Sequence, residues 1–463
     1  MKKIGVVGSG FSGTITTIQL INKLNKPCEI IIFDKKKLFN KGIAYAPYSN
    51  SVLLNVIASK MSAFSNTPDH FLDWVMQNPN YKNQGKTAIS NSFLPRYLYG
   101  EYLQDIWEDA INIAKEKQIK IIHFNNYVND FDVSKDGITL LLDNQTNLAV
   151  NDCIIASGNN IPRNPAIPNF KFYTSENYFQ NPWLHNAVKS TSDELPILII
   201  GNGLTMVDTV LCLIEEGFKG TVYSISPNGF NILPHSNNQI KYATLANELN
   251  NDLTLYSLVK LVNKHIKLAQ KKGIAVDSVI DSLRPHTQKI WRGFNTKEKK
   301  MFMSRLRHLW GVARHRIPLQ SFDKIQQLKA KNKLHIKAGK IVDINEIDNV
   351  MTVEYYDKKE RSNKKLIVSR IINCTGPETD INMLSNSFLK TILQKGIIQQ
   401  DELKLGICTD IETFKVIDAQ GNKHLYVYTL GSHLKGELWE STAVNELRTQ
   451  AEKLATILAE KYN

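Results

Sequence analysis

The sequence predicts an α/β fold of two Rossmann-like units, the second inserted in the first and itself carrying a helical insertion. Three observations carry that expectation. A strand, glycine turn, helix and second strand open the chain, the same order returns from about residue 194, and a helical stretch rich in Lys and Arg follows it. At 463 residues the chain exceeds one ordinary core, so more than one domain is expected.

The opening stretch "KKIGVVGSGFSGTITTIQLINKL" is a short apolar strand, a turn and a helical pattern, and "PCEIIIFDKK" is the next strand. Gly8, Gly10 and Gly13 stand in the GxGxxG frame, and Asp34 follows at the end of the second strand. In this grammar the first glycine permits the tight turn, the second lets backbone amides approach a pyrophosphate, and the third lets helix and strand pack closely. The acid takes a ribose diol. The turn residues Ser9, Phe11 and Ser12, and Lys35 beside Asp34, join these as candidate cofactor-binding residues.

The second copy, "ELPILIIGNGLTMVDTVLCLIEEGFKGTVYSISPNGF", keeps Gly201 and Gly203 but has Met206 at the third position. Its second strand ends in Ser226 and Pro227, where an acid or arginine normally selects NADH or NADPH. Two further strand ends, "NDCIIASGNNIP" and "SRIINCTGPETD", run into turns at Gly158 and Gly376, and "HLYVYTLGSHLKGELWESTAVNELRTQA" turns at Gly431 and Ser432 before the final helix. Trp439 and Glu440 are expected to open that helix, and His433 to lie near the flavin end of the site. The expected organisation is a discontinuous first domain, 1–190 plus 350–463, and a second domain, 191–349, with a helical insertion at about 240–320.

Composition excludes several classes. The five cysteines form no CxxC pair, which removes dithiol reductases and a Cys-rich zinc site, and no metal is expected. The first apolar run stops at Ser9 and no later run reaches membrane length, so a cytoplasmic protein without membrane association is expected. Charge is uneven: 15 Lys plus Arg against 3 Asp plus Glu lie between Ser257 and Pro318, +12 of the total +13. A local basic segment points to an anionic ligand, and nucleic acid is disfavoured because the segment lacks interleaved exposed aromatics.

Longer motifs extend the picture. "GIAYAPYSNSVLLNVIASKMSAFSNTPDHFLDWV", "FLPRYLYGEYL", "SLRPHTQKIW" and "HLWGVARHRIP", with the glycine turns, resemble the FAD/NAD(P)-binding proteins, two-dinucleotide-binding-domain flavoproteins related to flavin-dependent N-hydroxylating monooxygenases. The resemblance implies FAD as the held cofactor and NAD(P)H as hydride source. It implies placement of Asn55, Lys60, Met61 and Ser62 near the flavin, and a reaction with oxygen on the amine of a small anionic substrate such as an amino acid. The family often places arginines where this chain has "SPNGF", so NADH or NADPH stays open.

The stretch "RLRHLWGVARHRIP" puts Arg307, Trp310 and Arg314 on one helical face and His308, Val312 and His315 on another. We expect Arg314, His315 and Arg316 to contact an anionic substrate or the nicotinamide phosphates, because a bidentate guanidinium suits a carboxylate. Arg284 and Trp291 are secondary candidates, whereas Arg96 and Asp208 are expected to be structural. The alternatives are a flavin oxidoreductase that inserts no oxygen and a nucleic-acid-associated flavoprotein.

Overall fold

The computed structural model describes residues 1–34, 39–46, 49–189, 194–236, 240–250, 253–385 and 387–463. Strand β1 (Lys2–Val7) is central in the first sheet. It pairs in parallel with β2 (Cys28–Phe33) on one side and with Asp152–Ile155 on the other. Strand β3 (Lys120–Phe124) extends the β2 side. Lys423–Thr429 extends the other side in parallel, followed by the antiparallel Lys415–Ile417 and Thr409–Asp410. The inner strands read as unbroken apolar runs because both faces of this parallel sheet are covered.

Helix α1 (Phe11–Lys23) is buried from Gly13 through Ile21, on every side rather than on one stripe. It lies between the sheet and two long helices, Arg96–Glu116 and Val444–Tyr462. The last of these buries Val444, Leu447, Ala451, Leu454, Ala455 and Leu458, the three-and-four spacing of an amphipathic face. Each large apolar side chain so placed contributes roughly 1.5–3 kcal/mol. This helix starts at Val444, not at Trp439: the chain first makes the short helix Lys435–Leu438, and then turns at Trp439 with φ 54°.

The second sheet has the order Ser362–Val368, Val350–Asp357, Leu334–Ile347, Val222–Ser226, Ile197–Ile200, Arg370–Asn373, Tyr178–Phe179. The expected boundaries at 190 and 350 therefore move. Tyr178–Phe179 already pairs with Arg370–Asn373, and the strands from Val350 to Asn373 belong to the second sheet, not to the first domain. The cause is local. Asp348 and Asn349 both adopt positive φ and make a two-residue hairpin turn that folds Val350–Asp357 back on the long strand Leu334–Ile347.

Between Val222–Ser226 and Leu334–Ile347 lies a helical cluster: Thr244–Asn247, Leu255–Lys271, Val276–Ser282, Thr287–Gly293, Thr296–Met301 and Arg307–Arg314. Asn295 and Glu298 form a reciprocal cap at one of these starts. A π-helical turn, Phe302–Leu306, precedes Arg307. The two units are clasped by Arg96, at the start of a first-unit helix, and Asp208, in the second unit. Their buried side chains meet at 3.0 Å, and Arg96 Nε donates to the Leu53 carbonyl at 3.0 Å.

Candidate functional site

The two glycine turns have matching backbones. Gly8 has φ +108° and Gly201 φ +101°, and a Cβ on either would fall 2.4–2.5 Å from a carbonyl oxygen of the adjoining strand exit, Ala156 or Cys374. Only glycine meets both demands. A Cβ at Gly13 would fall 2.0 Å from the Gly8 oxygen, so helix and turn are in direct backbone contact there. No side chain caps α1 at Gly10 or the helix Leu204–Glu215 at Gly203, which leaves first-turn amides facing outward. Both turns thus fit the diphosphate of a dinucleotide.

Around the first turn, Asp34 Oδ2 accepts 2.8 Å hydrogen bonds from both the Ser9 amide and the Ser9 hydroxyl. Ser12 lies beside Gly431, whose added Cβ would stand 3.1 Å from the Ser12 Oγ. The Phe11 ring is spent in the core, edge-on to Tyr45 at 6.0 Å, so only its backbone is available to a cofactor. Gly158 holds φ +74° next to Ser157, whose hydroxyl meets His433 Nε2 at 2.9 Å. Burial pushes the His433 imidazole down to about 4. The Ser432 Oγ is buried with no hydrogen-bond partner among the described residues. Lys35 lies outside the described residues.

A cleft of about 1090 Å³ opens where the first unit, the second unit and the helical cluster meet. It gathers Asn55 and Lys60 from the first unit, Gly376 from the second, and Arg314, His315 and Arg316 from the cluster. Met61 does not reach it: the side chain is 2% exposed and packs in the core beneath.

The two arginines differ sharply. Arg314 Nε lies 3.3 Å from Glu440 Oε2, while Glu440 Oε1 accepts the Trp310 indole N–H at 3.0 Å. Among the described residues no hydrogen bond engages the two Nη groups of Arg314, which lines the cleft with the Asp281 carboxylate in electrostatic reach. Arg316 is 3% exposed, and its fork is divided between Asp277, at 3.0 Å, and Asp281. Arg316 lines the same cleft, but two carboxylates already stand against its charge. Arg284, also at the cleft wall, lies 3.5 Å from Glu446.

His315 is exposed at the cleft, yet the loss of water on its protein side, reinforced by Arg314, Lys435 and Arg284, pushes its imidazole down to about 4. His235 Nε2–H donates to the Asn55 carbonyl, 3.0 Å away. An acceptor there requires the Nε2–H form, and burial with nearby Arg316 pushes this ring to about 4 as well. Burial and Arg307 lower Lys435. Glu440, Asp277, Lys435 and His235 were not singled out as site residues from the sequence. Glu440 alone carried a signal, as the acid in "LWESTA".

This geometry is that of a two-dinucleotide-binding fold, with a glycine turn shaped for a diphosphate in each unit and a cleft between them. Residues 5–160 match the family model described as FAD-NAD(P)-binding, so that part of the chain is a FAD/NAD(P)-binding domain, and FAD and NAD(P) are its cofactors. An uncharacterized protein, YdhS of Escherichia coli strain K12, is 24% identical over 227 residues, which is 47% of this chain and only 40% of that protein. Among solved structures, the ornithine N-hydroxylase of Kutzneria sp. 744, described with reduced FAD, NADP+ and L-ornithine, superposes with a TM-score of 0.65. Its identity is 12%, covering 99% of this chain and 98% of that one. The bacillithiol disulfide reductase of Staphylococcus aureus gives 0.57 at 13% identity, covering all of both chains. At these identities the structures establish a shared fold. No helix among the described residues is long and apolar enough to cross a membrane.

Proposed function

We propose that the protein is a FAD-dependent, NAD(P)H-using monooxygenase acting on the amine of a small carboxylate-bearing substrate. The balanced reaction consumes NAD(P)H, a proton, oxygen and the amine, and yields NAD(P)+, water and the hydroxylamine. FAD in the first unit supplies the electron transfer and oxygen activation, and NAD(P)H in the second unit supplies the hydride. The observation that carries the reading is Arg314, held at Nε by Glu440 in the wall of a cleft that both units line.

The chain's own residues have three tasks. Arg314 holds the carboxylate end-on through its two Nη groups, a geometry lysine cannot reproduce. The cleft wall carries Lys60, Arg284, Arg307 and Lys435 against Asp281, Glu440 and Glu446. Positive surroundings disfavour an ammonium ion, so they favour the neutral amine that such a reaction needs. Trp310 and Trp439 close one side and exclude water, which strengthens the charge interactions inside.

The test is the fate of oxygen in the flavin-loaded enzyme. An amino-acid substrate should accelerate NAD(P)H oxidation and yield hydroxylated amine in near proportion to it. Arg314→Ala should weaken substrate affinity about tenfold or more, the loss of a charged hydrogen-bonded pair. Release of hydrogen peroxide alone with every amine, or NAD(P)H oxidation that needs a disulfide and no oxygen, would falsify the reading.

A further inference from the structure

Beside the cleft the helical cluster holds a second, half-open space of about 230 Å³ with an almost wholly hydrocarbon lining. The helix Arg307–Arg314 is the partition. Arg307, Gly311 and Arg314 line the cleft, whereas Leu309 and Ala313 line the chamber. Trp310 and Trp439 line both, so these two side chains stand where the spaces meet.

Polar tips are turned away from this space. The Trp291 N–H donates to the Gly436 carbonyl at 2.7 Å, the Trp310 N–H to Glu440, and the Thr287 hydroxyl to the Leu283 carbonyl at 3.1 Å. Asn263 stands at the exposed end. Water inside would lack the hydrogen-bond partners it needs, whereas an apolar group would be well housed.

Two backbone irregularities mark the same wall. Trp439 adopts φ 54° and ψ −68°, a costly conformation for a bulky residue, and so lays its ring on Trp291 with centroids 5.1 Å apart. The π-helical turn Phe302–Leu306 brings Phe302 edge-on to both indoles. Such strain persists only where surrounding structure enforces it, and π-turns gather at functional sites.

We propose that the chamber is a side-chain subsite: the substrate is an amino acid, or a related amine carboxylate, bearing an aromatic or branched aliphatic group. Its carboxylate meets Arg314, and its apolar group passes Trp310 and Trp439 into the chamber. This rests on the reading of Arg314 as the carboxylate anchor. It separates this site from one for a short or doubly charged amino acid, which would leave the chamber empty.

Equilibrium binding to the flavin-loaded protein tests it, followed by tryptophan fluorescence because Trp291, Trp310 and Trp439 surround the subsite. L-Phenylalanine and L-leucine should bind at least tenfold more tightly than glycine or L-aspartate. Ala313→Phe, which fills the chamber, should erase that advantage, and Ala313→Leu should reduce it. Flavin content and melting temperature report that each variant folds. Equal affinity for phenylalanine and glycine overturns the proposal, as does a preference that survives both fillings. Indole binding as tightly as phenylalanine, with no dependence on Arg314, also overturns it, because the chamber would then serve a separate ligand. Tight, chamber-dependent binding without hydroxylated product leaves the subsite standing and removes only the monooxygenase reading.

Discussion

The two glycine turns share a backbone but not an environment. At the first, Gly42 roofs the turn: a Cβ on Gly42 would fall 2.9 Å from the Gly10 Cα. Gly13 is in contact with the turn, and Asp34 is bonded to Ser9. At the second, an added Cβ on Gly203 meets nothing within 4 Å, Met206 replaces the contact glycine, and Ser226 stands where the acid would be. A closed turn suits a cofactor that stays, and an open one suits a cofactor that arrives and leaves. We therefore expect the same local sequence grammar to serve two binding regimes, set by what covers each turn.

The strongest way to break this comparison is a pair of substitutions. Gly13→Val drives a side chain into the Gly8 carbonyl, an overpacking with no room to relax, and should cost about 3 kcal/mol or more. We expect purified protein depleted of flavin absorbance and a lower melting temperature. Gly203→Ala has open space and should keep full flavin, with at most a few-fold rise in the KM for NAD(P)H. If Gly13→Val purifies yellow and fully loaded, the closed-turn argument fails.

The open side depends on the helical cluster, and the cluster depends on Arg316. Removing this 3%-exposed guanidinium strips Asp277 and Asp281 of their shared ion-pair partner and leaves Asp281 only the more distant Arg314, Arg284 and Lys60. Arg316→Ala should destabilise by about 3 kcal/mol, in the range for breaking a buried ion pair. A denaturant melt would show this as a shifted midpoint. Unchanged stability with weaker substrate binding would return Arg316 to the ligand site.

Acidity separates the two sides by a smaller amount. His433, His235 and His315 are held down to about 4 in the folded protein, below the ordinary 6.5. Between those values the unfolded chain binds more protons, so stability is full above about 6.5 and falls as pH drops toward 4. For His433, which is 5% exposed, the loss is roughly 3 kcal/mol when titration is complete. His315 opens to cleft water, so its loss is smaller. His433→Gln should flatten the acid limb of stability against pH more than His315→Gln, and the reverse order would contradict the contrast in burial.

The first unit was legible because its signals are local. Strand, Gly8, Gly10, Gly13 and Asp34 lie within 34 residues, and the structure brings them together. The second unit's edge was not, because it depends on a hairpin at Asp348–Asn349 that lacks the glycine such turns usually show. The cleft divides in the same way. Arg314 was readable from helical spacing with Trp310, and both meet Glu440. The fate of Arg316, two residues on, depends on Asp277 and Asp281, more than thirty residues earlier and on another helix. Met61, which the family resemblance alone places near the flavin, is buried in the first unit's core after the Ala58–Lys60 turn, a position its spacing does not encode.

The smallest effect probes what the open turn reads. Ser226 ends its strand with its hydroxyl accepting the Gly229 amide at 3.1 Å, and Lys358 binds the Pro227 carbonyl at 2.6 Å. The strand end is thus tied to its own loop and offers neither the carboxylate that prefers NADH nor the arginine that prefers NADPH. Ser226→Arg gives up a hydrogen bond of about 1 kcal/mol and adds a charge where the 2′-phosphate of NADPH would lie. We expect the ratio of kcat/KM for NADPH over NADH to rise a few-fold, with flavin content unchanged because the closed turn is not touched. A ratio that does not move would mean that the nicotinamide cofactor does not run along this strand end. The resemblance between the two turns would then be one of fold without shared use.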